Sequence, residues 1–348
     1  MVENVIKKFA PQMSEYLDSK PVYAPYLMQH NEPGCDFPSF STDEHGFRKT
    51  YDKKNKWITL QRFNQLKTQE KAALIGNSTA FGVGATSDIS SLTSLLCRKT
   101  DLFWFNFSGR TFQSTQEMFA YLLFSSLDEK HVVILSGINN FDLSYRWFNQ
   151  KGIYLPPFYC QNEFDRRFQV FTKLKNIKDN FRKYFLLSKL FKKNRKDNFF
   201  SDKIKNSFYS QTNIKQLLSI ESINRSLLTL KRDLTVIKNK SNNLYYLIQP
   251  IAEWLNKELS KEEKTIFQYL KNRRGKNWEL ISSFLKHHEF NYRNSIKHIC
   301  SELEIKCFDL NELDELKNDN WIFLDRYHLS DLGQMIISDY INSIIMCP

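Results

Sequence analysis

Five short, nearly unbroken apolar runs constrain this chain more than any other feature: Ala72–Gly76, Leu102–Phe107, His131–Ser136, Leu244–Ile248 and Ile305–Leu310. A strand with one wet face alternates apolar and polar residues, whereas a continuous run fits a parallel strand covered on both faces. Helical stretches fall between the runs, at Ser90–Leu96, Thr115–Leu127, Lys261–Leu270, Trp278–Leu285 and Ser330–Ile345. Strand and helix in alternation predict a doubly wound α/β fold. There is material for it. With 348 residues, 41% hydrophobic and 15% aromatic, the chain is not mainly disordered, and its length suits two domains or one large α/β domain with insertions.

Other classes drop out quickly. No window approaches the roughly 18 apolar residues of a spanning helix, and the opening MVENVIKKFAPQMSEYLDSK lacks the apolar stretch of a signal peptide. Cys35, Cys97, Cys160, Cys300, Cys307 and Cys347 are scattered without a C-x-x-C, and the histidines are scattered too. Neither a disulfide framework nor a metal site is expected, and free thiols suit a reducing cytoplasm. No G-x-x-x-x-G-K-[ST] occurs, and Gly82-Val83-Gly84 lacks the third glycine of a dinucleotide fingerprint.

Two regions stand outside the alternation. Residues 1–70 carry prolines and aromatics and read as an accessory layer or lid. Residues 146–241 separate the third and fourth runs and read as a basic, helical insert. The alternating core is then 71–145 and 242–348. The formal charge of the chain is +12. Within residues 164–240 there are 20 Lys/Arg against 6 Asp/Glu, a net +14, so the remainder is slightly acidic. The insert suits a solvated helical face, an anionic membrane surface, or an acidic partner such as an acyl carrier or a phosphorylated donor. Nucleic acid is disfavoured, because no recognised motif accompanies the charge.

Chemistry concentrates at two places. Gly76-Asn77-Ser78 follows the first run, placing a serine hydroxyl at the carboxyl edge of the sheet, where α/β proteins bind ligands. A serine needs a base, and Asp325-x-x-His328 near the end of the chain supplies one. An aspartate there can hold the imidazole by Nδ1–H and turn Nε2 toward the serine. An oxyanion also needs donors. Gly109 after the second run and Asn139 after the third lie at strand ends that should neighbour the first. Plainer readings stand beside these. Ser78 can be an ordinary helix cap, Asp325 can cap the last helix or pair with Arg326, and Asn139 and Asn140 can be turn residues. Gly109 reads as conformational first.

The four blocks, in this order, resemble the SGNH (GDSL-type) hydrolase superfamily. Gly76-Asn77-Ser78 matches the first block, Gly109 the second, Gly137-x-Asn139 the third and Asp325-x-x-His328 the fifth. The resemblance covers about residues 70–145 and 242–345. It implies a flavodoxin-like three-layer sandwich with a five-stranded parallel sheet. It also implies Ser78 as nucleophile, His328 as base, Asp325 as its orienter, and an oxyanion hole from Ser78, Gly109 and Asn139. The chain departs from the family where Asn77 and Asn140 replace the usual aspartates. A vaguer likeness around Gln249-Pro250, Glu253-Trp254 and Lys261-Glu262-Glu263, to members found with bacterial glycoconjugate genes, tilts the substrate toward carbohydrate.

The expectation is therefore a serine-dependent O-acyl, most simply O-acetyl, esterase or acyltransferase acting on a small-molecule or glycan acyl ester. It would work without a cofactor, with an acyl donor such as acetyl-CoA in the transferase case. The expected location is cytoplasmic, with peripheral membrane attachment through the insert left open. The competing expectations are a non-catalytic binding or regulatory protein on the same scaffold and a lipid-ester hydrolase.

Overall fold

The computed structural model describes residues 5–146, 158, 166, 170 and 220–346. The five runs are five strands: β1 (Lys71–Gly76), β2 (Phe103–Asn106), β3 (His131–Ser136), β4 (Leu244–Ile248) and β5 (Lys306–Asp309). They form one sheet in the order β2-β1-β3-β4-β5, with every pairing parallel. This is the flavodoxin-like order, whose ligand crevice opens at the carboxyl ends beside the β1/β3 switch point. Every residue of β1, β3 and β4 is buried, which is why those runs carry no alternation.

The described α-helices are α1 (Val5–Phe9), α2 (Gln12–Asp18), α3 (Leu60–Gln65), α4 (Ser78–Phe81), α5 (Leu92–Lys99), α6 (Ser114–Phe124), α7 (Ile138–Arg146), α8 (Ile220–Lys238), α9 (Lys261–Arg274), α10 (Lys276–Glu302) and α11 (Asp331–Met346). Helices α5 and α11 pack together on one face of the sheet, and α6, α8 and α10 on the other. Helix α11 starts one residue later than the sequence suggests, with the Ser330 hydroxyl accepting from the Gly333 amide at its cap.

Two helices are longer or later than the apolar pattern implies. Helix α8 ends the stretch counted as basic insert, yet Ile223, Leu227, Leu230, Leu234 and Ile237 recur at helical spacing and join the main core. It is the crossover helix into β4. The rest of the insert, with its expected helical surface and acidic or membrane partner, lies outside the described residues except for Phe158, Arg166 and Val170. Helix α10 runs on from Leu285 to Glu302 because His288, Tyr292, Ile296 and Ile299 continue its buried stripe. The histidine, asparagine and arginine between them hide that period in the sequence.

Residues 5–70 hold α1 to α3 and a series of isolated antiparallel bridges. They share the core of the sheet: Leu27, Phe47, Ile58, Leu60 and Phe63 belong to the same buried cluster as β1 to β3. Phe47 meets Phe105, Phe107 and Phe124 edge-on, with centroids 5.9, 5.6 and 5.0 Å away. Burying such a ring stabilises by about 2–3 kcal/mol. No described helix is long and apolar enough to cross a membrane.

Candidate active site

The backbone places Ser78. At Gly76 (φ +156°) an added Cβ would lie 2.2 Å from the Leu135 carbonyl oxygen and 2.7 Å from Ala80 Cβ, so no side chain fits there. Asn77 then caps α4, its Oδ1 accepting from the Thr79 amide at 2.9 Å. Ser78 is the first residue of that helix, and its own amide has no intrahelical acceptor. The cap reading and the nucleophile reading thus fall on adjacent residues: Asn77 caps, leaving the Ser78 hydroxyl free for another partner.

That partner arrives from beyond β5. A bridge between Phe323 and Leu329 closes a tight loop, with the Leu324 amide donating to the His328 carbonyl at 2.9 Å. Within it, Asp325 Oδ1 accepts from the backbone amides of Tyr327 (2.8 Å) and His328 (2.9 Å). Asp325 Oδ2 lies 2.8 Å from His328 Nδ1, and His328 Nε2 lies 2.9 Å from Ser78 Oγ. An ionised carboxylate only accepts, so Nδ1 carries the proton and Nε2 is left to accept from the serine hydroxyl. Burial alone would raise the Asp325 pKa. The His328 ring, by its charge when protonated and by its hydrogen bond, outweighs burial together with the two backbone amides and holds it down at about 2. The Ser-His-Asp order expected from the sequence is therefore assembled in space, across 250 residues of chain.

Side chains from elsewhere hold the loop. Glu263, fully buried, accepts the Ile322 (3.0 Å) and Phe323 (2.9 Å) amides on Oε1. Its Oε2 accepts the Ser260 amide at 2.8 Å and lies 2.5 Å from the buried ammonium of Lys257. A second chain of contacts joins the loop to the serine turn. Asn77 Nδ2 donates to Gln249 Oε1 (2.5 Å), Gln249 Nε2 to Thr79 Oγ1 (3.0 Å), and Thr79 Oγ1 to the Tyr327 carbonyl (3.0 Å). An asparagine at position 77 supplies the first donor, which an ionised aspartate would lack. Asn140, the other departure from the family pattern, caps α6: Oδ1 accepts from the Ser114 amide at 2.8 Å and Nδ2 donates to Ser114 Oγ at 2.8 Å.

The expected oxyanion donors have internal acceptors. The Gly109 amide continues the β-ladder, donating to the Gly76 carbonyl at 3.1 Å. A Cβ at Gly109 would sit 2.3 Å from the Phe112 ring, so the glycine makes room for that ring, and its backbone is not in the left-handed region that the conformational reading would need. Asn139 Nδ2 donates to the Phe112 carbonyl at 2.6 Å and keeps a second N–H. Neither residue lines the cavity in front of Ser78.

That cavity, about 450 Å³, is lined by Ser78, Asp325 and His328, by residues of the N-terminal layer, by Arg110 and Thr111, and by the end of α9. Fully buried Arg48 secures the layer to the stretch after Ser78, donating to the carbonyls of Gly82 (2.6 Å) and Ser87 (3.0 Å) and to Asp88 (2.9 Å). His30 and Gln29 lie on the cavity wall. Burial lowers the His30 pKa to about 4, so the ring is neutral near pH 7. The His45 backbone is the polar neighbour of the His30 ring, and Gln29 Oε1 has no hydrogen-bond partner among the described residues. Sequence reasoning misses His30 and Gln29, and meets Glu263 only within the Lys261-Glu262-Glu263 likeness, with no role for it. Ser260-x-x-Glu263 is a capping-box spacing and could have flagged the glutamate; His30 and Gln29 carry no local signal.

A scan against protein-family models finds no match, and neither does a search of curated proteins. Among solved structures the chain is similar to an acetyl xylan esterase, at 10% identity with a TM-score of 0.39, over 79% of this chain and 99% of that one. It is similar to an extracellular lipase from Streptomyces rimosus, at 12% identity with a TM-score of 0.40, over 79% of this chain and 99% of that one. It is also similar to a Corynascus thermopiles carbohydrate esterase of family 2 with a carbohydrate-binding domain, at 9% identity with a TM-score of 0.38, over 84% of this chain and 68% of that one. These superpositions are loose, and the functional reading rests on the geometry of the site.

Proposed function

We propose that the protein is a serine-dependent acyl-ester enzyme, an O-acyl (most simply O-acetyl) esterase or acyltransferase acting on a carbohydrate or glycoconjugate. The observation that carries this reading is the continuous hydrogen-bonded line from Asp325 through His328 to Ser78 at the mouth of a cavity. His328 Nε2 takes the hydroxyl proton as Ser78 Oγ attacks the acyl carbonyl, and Asp325 stabilises the imidazolium that forms. Collapse of the tetrahedral intermediate expels the alcohol, which takes the proton back from Nε2. Water or a sugar hydroxyl then attacks the acyl-enzyme by the same proton path in reverse. The Ser78 amide is the first oxyanion donor. Gly109 and Asn139 would join it by trading their acceptors at Gly76 and Phe112 for the developing charge.

The carbohydrate assignment rests on the sequence likeness around Gln249-Pro250, Glu253-Trp254 and Lys261-Glu262-Glu263. The chemistry uses no cofactor, and an acyl donor such as acetyl-CoA enters only for transfer. Turnover of p-nitrophenyl acetate by wild type, Ser78→Ala and His328→Ala tests the proposal. Loss in both variants, with unchanged circular dichroism, is expected. Equal rates in all three would sink it.

A further inference from the structure

The cavity wall is electrically one-sided. Lys7, Arg110, Arg273 and Arg274 line it, and the only carboxylate among its lining residues is Asp325, already committed to His328. Lys7 and Arg273 form no ion pair among the described residues, and Arg274 meets only the Trp278 ring, 6.0 Å from its centroid. Arg110 lines the same cavity. Its guanidinium donates to the carbonyls of Tyr16 and Ser19, to Ser19 Oγ (3.1 Å) and to Asn31 Oδ1 (3.2 Å). All of those acceptors are neutral; Glu32 acts on the guanidinium only from a distance, and no carboxylate pairs with it directly among the described residues. Lys7, Arg273 and Arg274 are exposed, and a cluster of like charges beside a cleft raises the local concentration of anions in a salt-dependent way.

We infer that the ester this site takes carries a phosphate on the part of the molecule remote from the acyl carbonyl, held by Arg110, Lys7, Arg273 and Arg274. The inference rests on the esterase reading for the orientation of the ligand. Phosphate fits better than a single carboxylate because several cations face the cavity, and a phosphate monoester brings nearly two negative charges near pH 7. A polyanionic group also answers a mixed set of lysine and arginine, which need no single planar geometry.

Two measurements on the full chain separate this inference from the reading beneath it. The first is the kcat/KM for para-acetoxyphenyl phosphate divided by that for phenyl acetate, in wild type and in Arg273→Glu/Arg274→Glu. The ratio should exceed one in wild type, fall about tenfold in the double variant, and fall with added salt. A ratio near or below one, or one that ignores both the substitutions and salt, overturns the inference while leaving the esterase intact. The second is calorimetric binding of phenyl phosphate and of benzoate, which needs no turnover. Binding of phenyl phosphate, weakened by the double substitution and tighter than benzoate, supports the phosphate site. Equal binding of the two, or none of phenyl phosphate, overturns it. Absence of turnover for either ester, with phenyl phosphate still bound in the charge-dependent way, would instead retire the esterase reading and keep the anion site.

Discussion

The two loops that meet at the candidate active site are held in opposite ways. The turn carrying Ser78 is fixed by backbone: a buried parallel strand, a glycine pressed on the Leu135 carbonyl, and a cap from the next residue. The loop carrying Asp325 and His328 has one bridge and the Asp325 turn of its own, and otherwise depends on side-chain contacts with distant elements, chiefly Glu263, Thr79 and the Arg326–Glu253 pair. Nucleophile position is thus a property of the sheet, while base position is a property of the packing around it. Disturbing the first should cost folding; disturbing the second should loosen the base within a folded molecule.

The largest expected effect lies where the two loops touch. Ser78→Ala or His328→Ala should lower kcat by about 10⁴-fold or more, measured on p-nitrophenyl acetate, with little change in melting temperature. Next comes the support of the base loop. Glu263→Ala strands the buried Lys257 ammonium and frees the Ile322 and Phe323 amides, which should cost about 3–5 kcal/mol in urea unfolding. Hydrogen exchange at those two amides should rise before global unfolding does. Uniform protection there would mean the loop holds itself. On the turn side, Gly76→Ala should cost about 1–3 kcal/mol or more, because backbone at Leu135 must move. A melting curve that matches wild type would break the contrast.

A smaller effect is read in acid. With a folded pKa of about 2, against about 3.9 unfolded, Asp325 contributes stability that is fully present above about pH 5 and is lost as pH falls through 4 toward 2. The contribution is about 1–2 kcal/mol after allowance for a side chain 19% exposed. Asp325→Asn should flatten the acid limb of stability by that amount, and an unchanged limb would mean the carboxylate is not held. Smallest is Asn77→Asp, which keeps the cap on the Thr79 amide but cannot donate to Gln249. A change within about 1 kcal/mol is expected, with a lower kcat only if the link to Tyr327 positions the base.

The same contrast explains what could be read from the sequence. The strands were legible because complete burial removes alternation: the runs at His131–Ser136 and Leu244–Ile248 coincide with β3 and β4 residue for residue. Ser78 was legible because strand, glycine and cap are neighbours in sequence. Asp325 and His328 were legible only as a pair at a short spacing. Their supports, Glu263 and Gln249, lie some 60 or more residues away, and no local pattern reports such contacts. The cavity wall formed by His30, Gln29 and Arg110 was hidden for the same reason. Helix α10 was cut short because its second half buries a histidine and a tyrosine among polar residues, where an apolar count sees no stripe.

The central claim is that Ser78 is a nucleophile made reactive by His328. Its most direct test is labelling of the full chain with a fluorophosphonate, followed by peptide mass spectrometry. A single adduct on Ser78, formed by wild type and abolished in His328→Ala, is the predicted result. Absence of any adduct, or labelling of Ser78 that persists unchanged without His328, would contradict the account.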